Sequence, residues 1–226
     1  MIAFVVDVPL WLLSLLFDPR RRAIHVWHMA IGRAIVHVNP FWRVRVEGPN
    51  RLPAGRFVVC ANHQSNADIF CLGFVRGQFR YLAKQSLLRV PVFGWVMQMG
   101  GHISVERGER ASGEQALARC QWWLERGISV AFFPEGTRSE SGRIKEFKMG
   151  AFKLAVEAGV PVLPIVISGT ATALPKHGFV MRERAWVRLR LLAPIPAGPD
   201  AEALRDRTRA ALIAAHAELE ASPAGQ

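Results

Sequence analysis

FVVCANHQSNAD, residues 57–68, sets a short apolar run before a polar loop and then a carboxylate. The run Phe57-Val58-Val59-Cys60 reads as a buried strand. His63 leaves its end, and Asp68 follows five positions later. On a helix, five positions would point the two side chains roughly 140° apart. If they meet, they meet across a loop, with Asp68 entering the helix that follows. In that arrangement the carboxylate holds the imidazole in one tautomer.

The same design recurs downstream. Ile128 to Phe133 is an apolar run stopped by Pro134, and Glu135-Gly136-Thr137-Arg138-Ser139 follows it. Gly136 lets backbone N–H groups approach an anion, and Arg138 can grip a phosphate bidentately. Ligands of open α/β sheets bind outside the carboxyl ends of the strands. Two strands of one sheet would therefore bring the His63 and Glu135 loops to a common crevice. Between them, Gly100-Gly101-His102-Ile103-Ser104-Val105-Glu106-Arg107 reads as a third short strand with Arg107 beyond its end. Val160-Pro161-Val162-Leu163-Pro164-Ile165 reads as a proline-bounded buried strand that lines the site.

Working outward, strands are expected at 41–46, 56–60, 79–82, 102–105, 128–133, 162–167 and 186–192. Helices are expected at 67–75, within 85–99, and at 111–126, 149–158 and 201–221. This alternation predicts an α/β fold, a mixed, largely parallel sheet flanked by helices. Residues 41–226 are expected to form this domain, since neither a repeat nor a low-complexity linker divides them.

Residues 1–40 differ. MIAFVVDVPLWLLSLLF is apolar apart from Asp7 and Ser14, is interrupted by Pro9, and is followed by Asp18-Pro19-Arg20-Arg21-Arg22. A signal peptide carries its positive charge ahead of the apolar run, not after it. A spanning helix needs about 20 apolar residues, and Asp7 would cost roughly 3 kcal/mol near the bilayer centre. A second apolar helix, 23–38, carries His25, His28 and His37 without metal-ligand spacing. The expectation is a two-helix hairpin lying in one leaflet, with the arginines among anionic headgroups.

Composition agrees with a lipid setting. The 226 residues suffice for one sizeable domain, and the net charge of +11 suits anionic partners. Seven Trp against one Tyr leans toward a membrane interface. The arginines are scattered and no nucleic-acid-binding motif occurs, which argues against a nucleic-acid partner. Cys60, Cys71 and Cys120 read as reduced, buried residues.

Four ordered blocks together resemble the glycerolipid acyltransferase family, which includes the lysophosphatidic acid acyltransferases. Asn62-His63-Gln64-Ser65-Asn66-Ala67-Asp68 fits its Asn-His-x4-Asp block. Gly101 to Arg107 looks like the second, with Glu106 where Asp is usual. Phe133 to Ser139 and Val160 to Pro164 look like the third and fourth. The resemblance implies transfer of a fatty acyl group from acyl-CoA or acyl carrier protein to the sn-2 hydroxyl of lysophosphatidic acid. It implies His63 as general base, Asp68 as its partner, and Arg107, Glu135, Gly136, Thr137 and Arg138 as the acceptor-phosphate pocket, with Glu135 ordering arginines. No metal or cofactor beyond the acyl donor is implied. The implied location is the cytoplasmic face of a bacterial inner membrane, attached without spanning. Glycerol-3-phosphate or a lyso-ornithine lipid is the alternative acceptor, and a non-catalytic anionic-lipid binder is the alternative class. Ser65 beside His63 raises a covalent acyl-serine route, although the Gly-x-Ser-x-Gly context is absent.

Overall fold

The computed structural model describes residues 2–139, 142–173 and 184–221. Its centre is a seven-stranded sheet built from β1 (Trp42–Glu47), β2 (Val58–Ala61), β3 (Phe79–Lys84), β4 (Ile103–Val105), β5 (Ser129–Phe132), β6 (Val162–Ser168) and β7 (Ala185–Leu191). The spatial order is β1-β7-β6-β2-β5-β3-β4. β6, β2, β5, β3 and β4 run parallel to one another; β7 is antiparallel to β6 and parallel to β1. The sheet is mixed and largely parallel, as the sequence pattern predicts.

β2 is buried along its whole length and alternates between two cores. Val58 and Cys60 face the layer of α5 (Arg110–Glu125), α6 (Gly150–Glu157) and α8 (Ala201–Ala221), with Trp123, Phe152 and Leu212. Val59 and Ala61 face the layer of α2 (Arg22–Val38) and α3 (Ala67–Cys71), with Met29, Val36 and Cys71. Helices on both faces explain why the central strands are continuously apolar rather than alternating. The three cysteines are free and buried.

The register places the chemistry. Cys60 pairs with Phe132 across β2 and β5. His63 and Glu135 each lie three residues past that pair, so their loops leave the sheet at the same height.

Two differences from the sequence reading concern local structure. The helix expected over 67–75 is α3 followed by a 3-10 turn, Leu72–Phe74. There Gly73 brings the backbones close: a Cβ on it would lie 3.0 Å from the Met29 carbonyl of α2. Pro9 does not interrupt the first helix, because α1 runs from Ile2 to Phe17. The exposed proline gives up only its own N–H while the rest of the helix continues.

Asp7 is completely buried, and its carboxylate is 3.1 Å from His28 Nε2 on α2. The apparent defect in an apolar helix is thus a polar tie between α1 and α2. The turn between them is held by Asp18, whose Oδ2 accepts from the Ala23 N–H at 2.9 Å. Beneath it, the fully buried Arg80 of β3 donates to the carbonyls of Arg20 and Arg21 and stacks 4.8 Å from the Trp123 ring centre. Burial, reinforced by Arg21, lowers this guanidinium to about 9.

Candidate active site

His63 Nδ1 lies 2.7 Å from Asp68 Oδ2. That oxygen also accepts the backbone N–H groups of Gln64 and Ser65, both at 2.9 Å. An ionised carboxylate only accepts, so Nδ1 carries the proton and Nε2 presents its lone pair. The imidazole stacks on Phe133 with ring centres 4.1 Å apart, which fixes its plane. Asp68 sits in the first turn of α3, so the pair does meet across the loop.

The loop is tied to both neighbouring strands. Asn62 Nδ2 donates to the Ile167 carbonyl and its Oδ1 accepts the Ile167 N–H, each at 2.8 Å. On the other side, Glu135 Oε1 accepts the His63 N–H at 2.7 Å, and its Oε2 accepts the Lys145 N–H at 3.0 Å. The Ser139 N–H donates to the His63 carbonyl at 2.8 Å. Burial raises the Glu135 carboxyl above its ordinary range, and the two amide bonds oppose that.

His63 opens onto a cavity of about 720 Å³. Met29 and Ile35 of α2, Phe70 of α3 and Met97 of α4 (Phe93–Met99) contribute its apolar wall. Lys84, Arg107, Thr137 and Arg138 also line it. The structure therefore gathers His63, Arg107, Thr137 and Arg138 around one space. Glu135 and Gly136 do not reach its wall. Glu135 braces backbone rather than arginine side chains. Gly136 closes the turn at φ 70°, with its N–H on the Phe133 carbonyl at 3.0 Å. A Cβ there would lie 2.7 Å from Lys148 Cε.

The fourth block does not line the cavity. It lies buried beside β2, where Pro164 pairs with Cys60; the bonds to Asn62 come from Ile167, three residues beyond it on β6. Ser65 is fully buried and absent from the wall, and its Oγ accepts the Ala67 N–H at 3.1 Å. Lys84 escaped the sequence reading. A lone lysine at a strand end carries no pattern, although its position beyond an apolar run was the available signal.

The profile of the Acyltransferase family matches residues 43–168, which contain His63, Asp68, Lys84, Arg107, Thr137 and Arg138. The chain belongs to the acyltransferase family. It is 36% identical over 197 residues to the chloroplast 1-acyl-sn-glycerol-3-phosphate acyltransferase of Arabidopsis thaliana, covering 86% of this chain and 55% of that one. It is 34% identical over 164 residues to the 1-acyl-sn-glycerol-3-phosphate acyltransferase of Salmonella typhimurium, covering 69% and 64%. It is 31% identical over 212 residues to the human alpha enzyme of that name, covering 88% and 73%. The chain thus spans little more than half the length of its chloroplast relative. The crystal structure of the 1-acyl-sn-glycerophosphate (LPA) acyltransferase PlsC from Thermotoga maritima superposes with a TM-score of 0.78 at 28% identity, covering 96% of this chain and 89% of that one. This acyltransferase therefore shares its architecture with the Thermotoga protein.

Proposed function

We propose that this acyltransferase moves a fatty acyl group from a thioester to the sn-2 hydroxyl of lysophosphatidic acid, giving phosphatidic acid. The observation that carries the reading is the Asp68-held imidazole on the wall of an apolar cavity that also holds Lys84, Arg107 and Arg138. The relatives named for this reaction support it.

His63 Nε2 takes the proton of the acceptor hydroxyl, and Asp68 stabilises the imidazolium that forms. The oxygen attacks the thioester carbonyl to give a tetrahedral intermediate. Its collapse breaks the C–S bond, and the imidazolium returns the proton to the leaving thiolate. A positioned base typically contributes about 10²–10⁴-fold. The cations hold the acceptor phosphate by charge-assisted hydrogen bonds. Among the described residues the Gly136 and Ser139 amides are already bonded, and the N–H groups of Thr137 and Arg138, which line the cavity, are assigned to the oxyanion. The burial of Ser65 favours this direct transfer over an acyl-serine.

The acyl donor is coenzyme A thioester or acyl carrier protein; both are anionic and fit the net charge of +11. No other cofactor enters the chemistry. We further propose attachment to the cytoplasmic face of a bacterial inner membrane. Among the described residues no helix is long and apolar enough to cross a membrane. Leu12, Leu13, Leu15, Leu16 and Phe17 of α1 are instead 52–79% exposed beside Arg20, Arg21 and Arg22.

The test offers the purified protein lysophosphatidate, glycerol-3-phosphate and a lyso-ornithine lipid, each with both donors. Thiol release and product mass are recorded. The reading predicts phosphatidate from lysophosphatidate. Release with the ornithine lipid alone would overturn it.

A further inference from the structure

A second cavity, about 1240 Å³, lies on the other side of His102, which contributes to the walls of both. Residues of α1, the α1–α2 turn, α4, β4 and α5 line it, with Gln85 and Leu88. Its lining includes Trp11, Trp95 and Trp122, and two arginines, Arg21 and Arg119. Among the described residues no carboxylate contributes to its wall.

The two cations differ in freedom. Arg21 Nη1 is anchored on the carbonyls of Gln98 at 2.7 Å and Met99 at 3.2 Å, at the end of α4. Arg119 is exposed on α5 and makes no hydrogen bond or ion pair among the described residues. Burial and the neighbouring Arg119 charge both lower Arg21. Two guanidiniums without a counter-charge form a site that an anion completes. The indoles add the amphipathic surface that suits a headgroup boundary. Trp95 is 52% exposed and Trp122 42% exposed, so this surface is accessible. Trp11 belongs to α1, whose following residues Leu12 to Phe17 carry the exposed apolar side chains.

We propose that the cavity between α1, α4 and α5 binds one anionic bilayer phospholipid, its phosphate between Arg21 and Arg119 and its chains leaving along α1. This rests on α1 facing the membrane, and it adds a lipid site separate from the His63 cavity. A bound lipid would fix α1 to α5 and so hold the hairpin at a set depth beside the catalytic domain.

The test uses the full chain and water-soluble dihexanoyl-phosphatidylglycerol, so binding requires neither turnover nor a bilayer. Tryptophan emission is titrated. A saturable change is expected, weakened at least about tenfold by Arg119→Gln, the loss of one charge-assisted bond. Arg138→Gln, in the catalytic cavity, leaves it intact. Arg119→Gln leaves thiol release from the soluble donor unchanged, since Arg119 lies outside the His63 cavity. Equal binding of dihexanoyl-phosphatidylcholine, or unaltered binding by Arg119→Gln, would overturn the proposal. So would displacement of the lipid by the adenosine bisphosphate portion of coenzyme A, which would make this the donor's site. Failure of thiol release with intact Arg119-dependent lipid binding would sink the catalytic reading and leave this one standing.

Discussion

Glu135 shows how a residue can belong to a catalytic block without facing its cavity. Both carboxylate oxygens are spent on backbone amides, one of them the N–H of His63. In Glu135→Gln one of those N–H groups meets an amide NH₂ or loses its acceptor. An unsatisfied buried donor costs about 1–3 kcal/mol. The expected result is a lower unfolding midpoint and a reduced kcat with KM for the acceptor little changed, because the base is displaced and not the phosphate site. Arg138→Ala should do the reverse. Losing a charge-assisted bond should raise KM for lysophosphatidate about tenfold, with turnover of a monoacylglycerol lacking phosphate unaffected. Equal effects on both acceptors would remove Arg138 from the phosphate pocket. The His63–Asp68 pairing was legible because the loop is short and both residue types carry chemistry. The bracing by Glu135 was not, because its partners are backbone groups that every residue possesses.

The joining of α1 to the rest of the molecule is the clearest lesson about elements. Hydropathy shows an apolar helix with one misplaced acid; the structure shows Asp7 buried against His28. The partner is twenty-one positions away on another helix, beyond any periodic pattern. Arg80 was equally silent, since a basic residue in a strand reads as an edge or surface position, yet its donors hold the turn carbonyls of Arg20 and Arg21 from below. Asp7→Ala leaves His28 Nε2 without its partner in a buried setting. Hydrogen–deuterium exchange should accelerate in α1 by about the 1–3 kcal/mol of an unmet buried polar group, while β2 and β5 exchange as before. Unchanged protection in α1 would show that apolar packing alone holds it.

At the scale of the molecule, the strand order places β2 between β5 and β6, and this makes one site from segments far apart in sequence. The sequence pattern showed which segments were buried strands but not their neighbours, because pairing order leaves no periodic trace. It therefore placed the fourth block in the wall when it lies inside the sheet. Acid stability belongs to this scale too. Burial lowers His25, His28, His102 and His216 below the ordinary histidine range. Arg80 opposes protonation of His25, His28 and His102, the three rings also face one another, Arg21 adds to His102, Asp7 favours charging His28, and Glu220 favours charging His216. The unfolded chain thus binds protons first as pH falls through about 6.5, and stability drops there by up to about 1.4 kcal/mol per pH unit for each histidine. Denaturation midpoints should be flat above that pH and fall below it; a midpoint that rises on acidification would contradict the assignment.

The most direct measurement compares acyl transfer to lysophosphatidate by the wild type and by His63→Ala, with the far-ultraviolet spectrum and unfolding midpoint recorded for both. A general-base role for His63 predicts at least about a hundredfold loss of turnover in a variant that remains folded. Turnover close to that of the wild type would contradict it.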